Sequence, residues 1–539
     1  MRARAGMRAA RAWLAAAAAA AAFAAGAASA QPAADRPLRL VLNVGLQNLD
    51  PIAGPSFVTR NFAYMVWDTL VAMDGKGEYR PQMLESWRAS EDRLTWTFKL
   101  RPGLVWSDGA PVTAEDCVAS IRRWGGRDGL GRRLLAAAKE LKATAPDAFV
   151  LELARPFGPV IEALGKPSVH VPFVMPARIA SATPPTQQVQ EIVGSGPYLF
   201  VREEWVPGER TVFRRNPAYR PRPEPADGLA GGKVAHFERV EFLTLTEPSV
   251  RVAALRRGEV DYLEYAPIDS LGLLRRDRNV VIANPGSIAQ IMGAVSVNHL
   301  QPPFDNPLVR RALQQVLDQR ETVAALGLPD GMFHPRCLSM FMCGGRYASD
   351  AGTEALREPS LERARELLRE AGYKGERVAF LHPADSVLIN PMALVLIDRM
   401  RRAGFNLDVA TSDWSSIAQR WLSREPVERG GWSVVPVVYT GFDMSDPLSN
   451  PGTGYNCTGN VPWSYCDGAM TPLLQAFEAE ADPERRREIA AGIQARAHAA
   501  ATFPLSGQFS SPAAWRAELR GVQDFGFPVM WNIQRAPAR

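Results

Sequence analysis

The sequence predicts an α/β protein built on more than one sheet, and three observations lead there. Short runs rich in branched residues recur along the chain with helix-patterned segments between them. The chain is more than one core comfortably organises: of its 539 residues, those after residue 30 are about three domains' worth at roughly 150 residues each. A hydrophobic fraction of 46% beside 22% charged residues is that of a packed globular chain.

Leu38 to Val44 alternates and is rich in branched residues, which predicts a strand ending at Gly45 and a loop over Leu46 to Pro55. Phe62, Met65, Val66, Thr69 and Leu70 then mark a helix over Asn61 to Met73. Strands are expected at Thr95 to Leu100 and Phe149 to Leu153, flanking a helix from Ala114 to Trp124 capped by Thr113. Val240 to Leu245 reads as a strand, Ser249 to Arg257 as a helix, and Val260 to Tyr265 as a strand. Further helices are expected at Pro307 to Leu317, Leu361 to Ala371, Ile389 to Ala403 and Pro472 to Ala500, with strands at Val378 to Leu381, Leu407 to Ala410 and Trp432 to Tyr439. The Pro- and Gly-rich stretches Pro172 to Pro185 and Arg220 to Gly232 read as surface loops or domain edges.

The N-terminus carries Arg2, Arg4, Arg8 and Arg11, an Ala-rich apolar stretch, and Ala28-Ser29-Ala30 before Gln31. A basic region, an apolar region and a small-x-small cleavage site together predict a secretory signal peptide over residues 1–30. No cysteine follows the cleavage site to take a lipid, so the expectation is a mature protein free in the periplasm. Losing those four arginines takes the formal net charge from +5 to +1, which leaves no electrostatic case for nucleic acid or a membrane surface.

Cys337/Cys343 and Cys457/Cys466 lie close in sequence among Gly, Pro and Asn, and in an oxidising compartment they read as two loop-closing disulfides. Cys117 follows helical spacing with Val118 and Ile121 and reads as a buried thiol. The six histidines show no pair at metal-binding spacing, and neither a metal nor a cofactor is expected. Nor is there a G-x-S-x-G, an H-E-x-x-H or a phosphate-cradling glycine loop, so a secreted hydrolase is the remote alternative to a binding protein.

Six strings occur in order: WSDGAPVTAEDC (106–117), GSGPYLF (194–200), RNPAYR (215–220), RVAALRRGEVDYLE (251–264), NHLQPPFDNPLVRRAL (298–313) and DMSDP (443–447). Each reads locally as a turn or a helix start; Thr113 caps a helix, and Pro307 suits the first helical position after Asn306. As a series they resemble the family-5 extracellular solute-binding proteins, the receptors of peptide-type ABC importers. The resemblance implies a two-lobed periplasmic-binding-protein fold of the class II type, with an extra domain on the first lobe. Projected here, lobe I is 31–63 with 190–280 and 510–539, the extra domain is 64–189, and lobe II is 281–509. It implies a monomeric receptor, not an enzyme, that closes on a peptide or peptide-like solute and delivers it to the importer's permease subunits. Relatives also carry nickel complexes, haem, glutathione, opines or oligosaccharides, and such solutes are the alternative.

The resemblance also implies a ligand contact. In peptide-binding relatives a carboxylate shortly before an Asp-Pro pair takes the peptide's ammonium, because a buried ammonium needs an opposite charge. Asp443, three residues before Asp446-Pro447, stands where that carboxylate is expected. The match departs in two respects: Tyr439 stands where tryptophan is commoner, and one extra residue separates it from the acid. Tyr439, Thr440, Gly441 and Phe442 would follow their strand into the cleft, with Gln47 and Asn48 facing it from the first lobe and the loop Gly125 to Gly131 at its rim. Asn48 or Asp50 equally suits an Asx-turn. Trp414 reads as packing.

Overall fold

The computed structural model describes residues 36–457 and 465–536. The expected signal peptide, and Trp463 in the Cys457/Cys466 loop, lie outside the described residues. Two large sheets organise the chain. The first has seven strands, in the order Val280–Ile282, Ala514–Arg516, Tyr262–Leu263, Leu38–Leu42, Arg239–Thr244, Arg210–Arg215, Tyr198–Phe200. At its centre Leu38–Leu42 runs parallel to both Arg239–Thr244 and Tyr262–Leu263. The second has five strands, in the order Asn406–Ser412, Arg377–Pro383, Val434–Thr440, Ile291–Val297, Leu505–Phe509. Ile291–Val297 is buried at every position, as a central strand covered on both faces must be.

A separate four-stranded antiparallel sheet runs Leu84–Ala89, Thr95–Leu100, Ala148–Leu153, Ala138–Ala145. Thr95–Leu100 alternates strictly between exposed and buried, so one face meets water and the other the core. The helix Ala114–Gly125 beside it starts in a capping box in which Thr113 and Asp116 satisfy each other's backbone.

Among the described residues two segments cross between the large sheets: 283–290, and 510–513 on the way back. They are pinned to each other. Ala283 N donates to Ala513 O at 2.9 Å, and Gln290 Nε2 donates to Ser510 Oγ at 3.1 Å. That hydroxyl also lies 2.8 Å from Asn284 Oδ1. Two stretches of backbone joined by backbone and side-chain hydrogen bonds form a connection of the kind that lets lobes swing as bodies. The architecture is a two-lobed α/β fold.

Three expected elements differ in the structure. The helix placed at Asn61 to Met73 is Phe57–Val66, and Val71–Met73 is a strand. Asp68 draws the chain out of the helix: it is bound by buried Lys233 at 2.7 Å, and it accepts from Tyr219 Oη. The strand expected over Val260 to Tyr265 is only Tyr262–Leu263, because the Asp261 carboxylate holds Arg39 N and Arg535. The helix expected over Pro472 to Ala500 is two, Met470–Ala479 and Pro483–Ala500. Pro483 cannot continue a helix but suits the first position of a new one, which Asp482 caps by accepting from Glu484 N and Arg485 N.

Candidate ligand-binding site

The strand Val434–Thr440 delivers its carboxyl end to the space between the lobes, where ligands of open α/β sheets bind. One helical turn, Gly441–Met444, follows, with Thr440 as its cap. Gly441 is required by packing: a Cβ there would stand 2.4 Å from Ile288 O. Phe442 is buried and stacks on Phe525 of the C-terminal segment at 5.1 Å. These two therefore hold the turn in place, while Asp443 is the residue that the turn presents.

Asp443 is 7% exposed. Its Oδ2 accepts from Thr440 Oγ1, and Ser168 Oγ reaches it at 3.3 Å from the four-stranded-sheet region. Ser168 in turn accepts from Arg60 Nη1 at 2.9 Å. A polar chain thus runs from Arg60 through Ser168 to Asp443, joining three parts of the fold. Burial pushes the Asp443 carboxyl above the usual carboxylate range, against the pull of Thr440, Lys166, Arg60 and Ser168. Among the described residues no cation lies within ion-pair distance of it. A desolvated carboxylate so placed is short of one positive partner.

Around it stand Tyr439, half-buried with its ring 5.8 Å from Phe503, and Tyr455, whose ionisation is suppressed first by burial. Glu264, whose pKa is likewise raised by burial, accepts from Asn43 N at 2.8 Å and from Asn61 Nδ2 at 2.7 Å.

Gln47 is exposed, and no hydrogen bond ties Gln47 or Asn48 to Asp443 among the described residues. Asn48 makes the Asx-turn, its Oδ1 accepting from Asp50 N at 2.8 Å. Asp50 is fully buried against Arg123 at 2.7 Å and has a structural role. Trp414 caps its packing on Trp421 at 6.2 Å. The loop Gly125 to Gly131 does reach the site, through Asp128, which binds Lys166.

Cys337 is bonded to Cys343 and Cys457 to Cys466, and Cys117 is a buried thiol whose pKa burial raises. Among the described residues no group of three or more His, Cys, Asp or Glu is placed to hold a metal ion.

Sequence reasoning missed Arg60, Lys166 and Ser168. Arg60 was detectable in principle, as a charge inside a helix buried on nearly every side. Lys166 and Ser168 lie in an irregular loop with no periodicity to mark them.

The fold defines a two-lobed α/β protein of the binding-protein type. Residues 78–461 match the model of the bacterial extracellular solute-binding proteins, family 5 (middle region), and the chain belongs to that family. It is 33% identical over 515 residues to a probable peptide ABC transporter periplasmic-binding protein of Sinorhizobium fredii, covering 94% of each chain. Two solved structures share the fold. The periplasmic binding protein DppA of Helicobacter pylori in complex with the peptide STSA gives a TM-score of 0.75 at 18% identity, over 93% of this chain and 98% of that one. AgaA of A. tumefaciens R10, in complex with agropinic acid, gives 0.75 at 20%, over 94% and 99%.

Proposed function

We propose that this protein is the periplasmic receptor of an ABC importer for peptides or peptide-like solutes with a free ammonium, held on Asp443 in the interlobe cleft. The observation that carries this reading is the desolvated Asp443 carboxylate, fixed by Thr440 and Ser168 and lacking a cation partner at contact distance among the described residues. The full-length peptide-transporter relative supports the solute class. We assign the segments 31–63, 190–280 and 510–539 to lobe I, 64–189 to its extra domain and 281–509 to lobe II; the strands of the large sheets support that division except Val280–Ile282, which lies in the first sheet and moves the lobe boundary past residue 282. Membership of a solute-binding family supports a receptor that releases its solute unaltered.

Closure is a population shift toward the state that the ligand binds better. Ion pairs already bridge the halves of the cleft: Glu162 with Arg486 at 2.5 Å, Glu78 with Arg346 at 2.8 Å and Glu478 with Arg155 at 2.9 Å. The test is calorimetric titration of the mature protein with di- to pentapeptide pools and the same pools N-acetylated. Saturable one-to-one binding that acetylation abolishes is expected. Equal binding of acetylated pools removes the ammonium anchor, and a solute without an amine then becomes the better reading.

A further inference from the structure

Two different parts of the fold hold the Asp443 carboxylate. Thr440 Oγ1 donates to Oδ2 from the end of its own strand, and Ser168 Oγ lies 3.3 Å from the same oxygen, from the extra domain assigned above. Among the described residues no hydrogen bond reaches Oδ1.

Ser168 is 1% exposed, and its hydrogen bonding leaves little choice. A guanidinium only donates, and a hydroxyl has one proton to give. Arg60 Nη1 donates to Ser168 Oγ at 2.9 Å, so the serine's own proton is free for the side that faces Asp443. The other oxygen there, Thr440 Oγ1 at 3.3 Å, already gives its proton to Oδ2. Arg60 is itself fixed: Nε and Nη2 donate to Asn61 Oδ1 at 3.2 and 2.9 Å, and the guanidinium carbon lies 3.9 Å from the centre of the Phe527 ring. Asn61 Nδ2 donates onward to Glu264 Oε1 at 2.7 Å. A buried polar relay thus runs Glu264, Asn61, Arg60, Ser168, Asp443, from the first lobe through the extra domain to the second.

The loop that carries Ser168 is held in place. Val169 and His170, directly after it, lie in the left-handed region, at φ +35° and +52°. A branched residue there persists only where its surroundings over-determine the backbone. They do so here: Tyr64 Oη donates to Pro167 O at 3.0 Å, and Trp124 Nε1 donates to His170 O at 2.6 Å.

We propose that Ser168, polarised by Arg60, is a positioning residue that completes the Asp443 anchor from the opposite lobe, so that the carboxylate grips an ammonium fully only when the cleft is shut. This rests on the Asp443 reading above. Opening carries the serine away with its loop and leaves Thr440 alone to orient the carboxylate. Closure restores the bond, so the anchor and the lobes tighten in one step, and the gain falls on retention of the solute.

The test is a double-mutant cycle, with calorimetric titration of a di- to pentapeptide pool into wild type, Ser168→Ala, Asp443→Asn and the double variant. Ser168→Ala should weaken binding about tenfold, as loss of a hydrogen bond to a charged group does, and by less than about twofold when Asp443 is already Asn. Ser168→Thr keeps the hydroxyl and should restore most of the affinity. Release of peptide from loaded Ser168→Ala, followed by dilution, should speed by the same factor while association is unchanged; this rate decides alone if Asp443→Asn binds too weakly to titrate. If Ser168→Ala does not fold, Ser168→Cys, whose thiol is a weak donor, replaces it with a smaller loss of the same pattern. Unchanged affinity in Ser168→Ala, an equal loss in both backgrounds, or a loss confined to association overturns the proposal. A loss in Asp443→Asn with none in Ser168→Ala sinks the serine's role and keeps the anchor, whereas Asp443→Asn that binds like wild type sinks both.

Discussion

Replacing Asp443 by Asn keeps the shape of the side chain and removes its charge, so binding and stability should move in opposite directions. An ammonium left without its carboxylate in a desolvated cleft costs about 2–4 kcal/mol, or about 30-fold to 1000-fold in Kd. Stability follows from the raised native pKa of Asp443, caused first by burial. As pH rises the unfolded chain loses this proton first, near about 3.9, while the native state still holds it. Native stability therefore falls from that pH upward until the native group ionises as well, and the deficit persists at neutral pH. Asp443→Asn has no such deficit, so the ligand-free variant should melt at or above the wild-type temperature at pH 7, with its advantage vanishing below about pH 3.9. Calorimetry for Kd and thermal unfolding between pH 3 and pH 8 read both effects. Affinity within twofold of wild type, or a variant that melts lower at pH 7 than at pH 3 relative to wild type, would refute the reasoning.

Other perturbations probe the frame around the site. Asp50→Ala leaves buried Arg123 without its partner and should cost about 3–5 kcal/mol by denaturant titration, with Arg123→Met in the same chain recovering most of it; a loss below 1 kcal/mol contradicts the role given to the pair. Glu162→Gln weakens the contact with Arg486 across the cleft, so small-angle scattering of the ligand-free protein should show a larger radius of gyration and calorimetry a several-fold loss of affinity, and unchanged values of both would discard the bridge. Thiol labelling of the unreduced protein should find no reactive cysteine when native, because Cys117 is buried, and one when denatured; two or more would contradict the disulfide pairing.

Much of the frame was legible because it depends on local rules. Thr95–Leu100 appears in the structure with the bounds its alternation implies, and Pro307–Val316 starts where Asn306 and Pro307 place it. Asp443 was reached through the Asp446-Pro447 landmark, and the structure buries it on the turn Gly441–Met444 beside Ser168. Elements failed where a distant partner overruled local pattern, as when Lys233 pulled Asp68 out of a helical run 165 residues away. The contacts opposite Asp443 were invisible for the same reason. Ser168 is 275 residues from it in sequence, and nothing in GKPSVHV marks a loop held by Tyr64 and Trp124.

Native mass spectrometry of the mature protein, after incubation with a defined peptide mixture and gentle release of whatever is held, puts the receptor reading to its most direct trial. A single adduct per chain, whose released mass equals that of an added peptide with both termini intact, is the expected result. Fragments or modified peptides in the released fraction, or bare protein against every mixture, would contradict it.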